Sequence, residues 1–180
     1  MNVRRWLAAA CCVPLFGLAG CSDDEPQAQP KDPVSTSSTP STEPPRQSAE
    51  FTRSAAKLFV AHWINTFNSA VLSGETSALA GLGDPGCDAC GDLVDTIDDI
   101  YAAGGHVESA GWRADRYSDT ALTEPSDASV RVLMKLSPQT IYRSKNGKPD
   151  KTTGGEGTAV FSLHWSDGTW QVTDLKQAPA

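Results

Sequence analysis

Apolar positions along the chain keep two rhythms and, in one stretch, none. Across residues 51–72 they recur every three or four places, and Phe51, Ala55, Leu58, Phe59, Trp63, Phe67, Ala70 and Val71 make one broad stripe. That spacing predicts a long amphipathic helix lying on a core. Ser73-Gly74 ends it. Residues 76–82 read as a short helical turn, and Gly83-Asp84-Pro85-Gly86 breaks the chain again. A second long helix is predicted over 88–103, with Leu93, Val94, Ile97, Ile100 and Tyr101 inward. Asp92, Asp95, Asp98 and Asp99 take its wet side, and Gly104-Gly105 stops it. Past that point the period falls to two. Segments 106–117, 128–136, 140–143, 158–165 and 169–175 read as strands, with turns at Asn146-Gly147 and Asp167-Gly168. Val130, Val132, Met134 and Leu136 share one strand face, opposite Arg131 and Lys135. Helices first and strands after predict an α+β domain, two to three helices packed on a curved antiparallel sheet of about four strands.

The stretch without rhythm is 22–50. Six of the chain's 12 prolines fall there, among serine, threonine and acid, with Ala28, Val34 and Ala49 as its only residues from the apolar set. Such a segment cannot bury enough surface to offset the entropy of ordering it. It reads as a disordered tether, spanning roughly 30 Å as a coil and about 90 Å if mostly polyproline II. Ser35 to Thr42 would accept O-linked sugars, although a bare spacer fits as well. The 130 residues of 51–180 are left for one compact domain.

Residues 1–20 carry Arg4 and Arg5 before an apolar run from Trp6 to Leu18, the pattern of an export signal and too short for a permanent span. The ending Leu18-Ala19-Gly20-Cys21 resembles the lipobox of bacterial lipoproteins. That resemblance implies cleavage before Cys21 and a diacylglycerol thioether on its sulfur. Two or three acyl chains, at roughly 0.8 kcal/mol per buried CH₂, hold a protein on a membrane stably. The expected location is therefore outside the cytoplasm, on the outer face of the cell membrane. The formal charge of −7 becomes −9 when Arg4 and Arg5 leave, because 13 basic side chains then face 22 acidic ones. That balance argues against nucleic acid as a partner.

Cys11 and Cys12 depart with the signal, leaving Cys87 and Cys90 as the thiols. An even pair in an oxidising compartment predicts a disulfide, here a staple at the start of the second long helix. Thiol–disulfide exchange at Cys87 is an alternative, since a CxxC at a helix start lowers the first thiol's pKa. No cofactor or metal is expected. Zinc would need two more ligands beside the cysteines, and His62, His106 and His164 lack ligand spacing. Arg143, Lys145, Lys148 and Lys151 read as a solvated hairpin tip.

The element order resembles the NTF2-like (cystatin-like, SnoaL-like) superfamily, and the long first helix and the terminal Asp167-Gly168-x-Trp170-x-Val172 hairpin carry the likeness. More narrowly, the lipobox, the tether, Phe59-Val-Ala-His-Trp63, the segment Asp84 to Cys90 and Tyr101-Ala-Ala-Gly-Gly105 resemble a family of uncharacterised actinobacterial lipoproteins. The superfamily resemblance implies a conical cavity between helices and sheet, and sheets that often pair into homodimers. His62, Trp63, Trp112, His164, Trp165 and Trp170 are then candidates to line that cavity, each also explicable as core or surface. Three functions follow. The first is an envelope module binding a protein partner or small ligand without catalysis. The others are an isomerase or dehydratase using His62 or an aspartate as base, and the thiol exchanger.

Overall fold

The computed structural model describes residues 50–123 and 125–178. The signal segment, Cys21 and the tether as far as residue 49 lie outside the described residues. Helix α1 (Arg53–Ser73) starts at Thr52, whose hydroxyl accepts from the Ala55 amide at 3.1 Å. It ends at Gly74, whose φ of 77° is open to glycine at little cost. The Tyr101 ring lies against that glycine, and its hydroxyl donates to the Val71 carbonyl at 2.8 Å, satisfying one of the last-turn acceptors.

The buried line of α1 runs through Ala56, Val60, Trp63 and Phe67, flanked by Phe59 and Ile64. Leu58, expected on that stripe, is instead 60% exposed. The physical reason is angular: at about 100° per residue, Leu58 sits roughly 200° from both Ala56 and Val60. Helix α2 (Ser77–Ala80) buries Leu79, and α3 (Asp88–Ala102) buries Cys90, Ile97 and Ile100 while its five aspartates face water.

Among the described residues seven strands follow: β1 (His106–Ser109), β2 (Trp112–Thr123), β3 (Asp127–Leu136), β4 (Gln139–Tyr142), β5 (Asp150–Thr152), β6 (Gly155–Ser166) and β7 (Thr169–Ala178). A four-stranded antiparallel sheet has the order β2-β3-β6-β7, and a three-stranded one the order β1-β4-β5. The smaller sheet prolongs the larger, because β1 runs on into β2, β3 into β4 and β5 into β6 across one shared bend.

The sequence of that bend explains it. Gly111 and Gly154 hold φ of 84° and 71°, and Pro138 has no amide hydrogen to give a ladder. The Ser137 amide still reaches the Gly111 carbonyl at 3.2 Å, so the corner is stitched rather than loose. The segment 106–117, expected as one strand, is therefore two, and β2 continues to Thr123. The count of about four strands holds for the main sheet, while β5 was not foreseen from its exposed Asp-Lys-Thr sequence. The β6–β7 hairpin turns at Asp167 and Gly168 with φ of 51° and 78°, both positive as a two-residue type I′ turn requires. Ala128, Val130, Val132 and Met134 of β3, Phe161 and Leu163 of β6, and Trp170 and Val172 of β7 form the core with the inner face of α1.

Candidate functional site

The four tryptophans of the domain separate into three situations. Trp63, 1% exposed, stacks on Phe67 at 5.6 Å between ring centroids and meets Phe161 edge-on at 5.2 Å. It is core, not cavity wall. Trp170, 2% exposed, packs between Phe51 at 5.4 Å and Trp165 at 5.1 Å, closing the end of the sheet where α1 begins. Trp112, at the bend, touches Phe67 at 4.3 Å and borders an open hollow of about 320 Å³.

Asn68 fixes Trp112 in place. Its Oδ1 accepts from the Trp112 amide and its Nδ2 donates to the Trp112 carbonyl, both at 2.8 Å. This double bond from helix to strand closes around Gly111, where a Cβ would come within 2.8 Å of the Asn68 side chain. No periodicity marks Asn68, because a helix residue that bonds the backbone of a distant strand has no local signature.

The hollow lies on the core-bearing face of the main sheet, where Phe161 and Trp112 of its wall meet Trp63 and Phe67 of α1. Its walls are Trp112, Met134, Leu136, Ala159, Phe161 and Leu175, with Gly157 set among them and the Gln177 amide at one side. Thr158 and Lys176 complete the lining, and the Lys176 ammonium pairs with Asp174. Met134 and Leu136 share one strand face, as their alternation with Lys135 predicts. Gly157, Leu175 and Gln177 were not, since only the register Met134↔Gly157 and Phe161↔Leu175 gathers them. Gly157 leaves room: a Cβ there would stand 3.6 Å from Gln177 Nε2 and 4.0 Å from Leu136 Cδ1.

The two candidate histidines are elsewhere. His62 lies on the α1 line of Leu58, Asn65, Ser69 and Leu72, the helix's outer side. His164 projects from the opposite face of β6 to Leu163 and Trp165. Its Nδ1 is 2.7 Å from Asp127 Oδ1 and 3.4 Å from Ser126 Oγ. Serine, histidine and aspartate are the residue types of a hydrolytic triad, but here both partners approach the same ring nitrogen. A relay needs the acid on one nitrogen and the nucleophile on the other.

Cys87 is the N-terminal cap of α3, with its sulfur bonded to that of Cys90 at 2.08 Å. Both are buried, at 3% and 9% exposure. Cys90 packs on Gly83, and the Asp84 amide and the Leu82 carbonyl bond to Val172 of β7 at 2.8 and 2.9 Å. The pair thus pins the loop that docks α3 on the sheet edge. Cys21 lies outside the described residues.

Among the described residues, two side chains have displaced pKa values. The Asp115 carboxyl is held below its usual range, first by its hydrogen bond to Lys135, whose Nζ is 2.9 Å away. Burial pushes the Tyr117 phenol up, and its hydroxyl is without a hydrogen-bond partner. Neither belongs to the hollow. Among the described residues, no group of three or more His, Cys, Asp or Glu side chains is placed to hold a metal.

The chain belongs to a family of unknown function (DUF6318), which it matches over residues 36–176. No curated protein matches it. Among solved structures it is similar to the intermembrane-space region of the chloroplast protein ARC6, at 14% identity and a TM-score of 0.53, over 73% of this chain and 99% of that one. It is also similar to an NTF2-like protein of unknown function from Shewanella baltica, at 15% identity and a TM-score of 0.43, over 73% and 100% of the two chains. The hub homology domain of the kinase CaMKII from Chlamydomonas reinhardtii has 16% identity and a TM-score of 0.45, over 69% and 98%. At these identities the likeness is one of fold. The domain is α+β, with its helices ahead of an antiparallel sheet as the element order predicts.

Proposed function

We propose that the protein is a lipoprotein of the cell envelope, anchored through Cys21, whose domain binds a small apolar ligand in the concave hollow and does no chemistry on it. The observation that carries this reading is the wall itself: six apolar side chains around about 320 Å³, with Thr158, Gln177 and an Asp174-paired Lys176 as its polar members. That volume sits at the lower end of the roughly 300–1,000 Å³ typical of small-molecule sites. Acid–base catalysis needs a carboxylate or imidazole within hydrogen-bond reach of the reacting atoms. The lining residues supply neither, and His62 lies on the outer side of α1. Burial of both sulfurs likewise favours a staple over thiol exchange, which needs an accessible thiolate.

The test is titration with a neutral apolar fluorophore, N-phenyl-1-naphthylamine. Saturable binding should be abolished by Gly157→Leu, which fills the hollow from a position whose backbone accepts a side chain. Unchanged binding in a folded Gly157→Leu variant would remove the hollow from consideration.

A further inference from the structure

A second hollow adjoins the first. It measures about 240 Å³ and shares Trp112 and Leu136 with the larger one, but lies past the bend. Its remaining side chains are of a different chemistry: Ser137, Gln139, Thr152 and Thr153, around Gly154. The Thr152 hydroxyl accepts from the Gln139 amide at 3.1 Å, which holds that oxygen in position. None of these lining groups is ionised at neutral pH. The two compartments meet at Trp112, one apolar, the other presenting uncharged donors and acceptors.

We infer that the ligand is an amphiphile with an uncharged, hydroxyl-bearing head, its apolar body between Met134 and Leu175 and its head over Gly154 beside Thr152, Thr153 and Gln139. This deepens the reading of the hollow as a ligand site and rests on it. Hydroxyl and amide side chains both donate and accept, as sugar or glycerol hydroxyls do. A phosphate or carboxylate head would require a cation to offset its desolvation. Two of the cations beside the hollows are already paired, the first being Lys176 with Asp174 in the wall of the larger one. Lys135, in a third hollow that borders Ser137 from the Arg113 side, is already held by Asp115 at 2.9 Å and Glu156 at 3.9 Å.

The experiment uses the full chain carrying Cys21→Ser, so that no acyl chain of its own competes. Hexyl, heptyl and octyl glucoside are titrated below their micellar concentrations, with octyl sulfate as the charged counterpart, by tryptophan fluorescence and calorimetry. Each added methylene should tighten binding about fourfold while the apolar compartment fills. The glucoside should bind at least about tenfold more tightly than octyl sulfate, whose charge would enter unpaired. Thr153→Val should weaken the octyl glucoside about three- to tenfold and leave the methylene increment intact. Octyl sulfate binding as well as the glucoside, or Thr153→Val without effect, overturns the assignment of the head while the apolar site stands. Affinity independent of chain length and untouched by Gly157→Leu overturns both.

Discussion

Asn68 is the side chain on which the hollow's geometry turns. It spends both ends of its amide on the backbone of one residue, Trp112, and so ties the C-terminal half of α1 to the sheet where the strand bends. Asn68→Ala leaves the Trp112 amide and carbonyl unpaired in a half-buried corner, at a cost of about 1–3 kcal/mol. Urea unfolding should show that loss, and probe binding should weaken with it because Trp112 is no longer held against the hollow. Tyr117 acts in the opposite sense. Its phenol is raised by burial, so the folded state holds the proton more tightly than the unfolded chain does. Stability is therefore fully present below the ordinary tyrosine pKa and falls as pH climbs from about 10 toward the higher folded value. Tyr117→Phe should flatten that alkaline decline and cost nothing at pH 7, since the hydroxyl has no partner to lose. A steeper decline in the variant would contradict the burial argument.

Among the elements, the helices were the most legible part of the sequence. Their boundaries follow from Thr52, Gly74 and Gly104-Gly105, which act through local backbone geometry. The misplacement of Leu58 shows the limit of a spacing rule that admits both three and four: the stripe has a centre, and only packing against β2 and β3 decides where it lies. The strands were legible as strands but not as lengths. A shared bend through Gly111, Pro138 and Gly154 is a property of three segments at once, and each glycine alone reads as a simple loop. Cys87 and Cys90 belong to this scale too. Closing so short a ring stabilises by about 2 kcal/mol through chain entropy. Reduction should lower the urea midpoint accordingly without altering the affinity of N-phenyl-1-naphthylamine, because the pair sits against Val172 and not at the hollow. A large loss of affinity on reduction would tie the staple to binding.

For the whole molecule, the placement rests on Leu18-Ala19-Gly20-Cys21 and the proline-rich stretch that follows. The native chain expressed in a bacterial host should partition into the detergent phase of Triton X-114 and incorporate labelled palmitate. Cys21→Ser should leave it in the aqueous phase with no label. Labelling that survives Cys21→Ser would defeat the anchor.

Period and punctuation are local, and so the amino-acid order alone sufficed for the kinds of element, their succession and the α+β class. It also sufficed for the cysteine pair. Which tryptophan is wall and which is core could not be read that way. Trp63 and Trp112 have the same chemistry, but Trp63 is enclosed by α1 and β6, while Trp112 stands where the sheet turns away from the helix. The difference is one of what covers a ring on its second side, and that is settled only when distant segments meet.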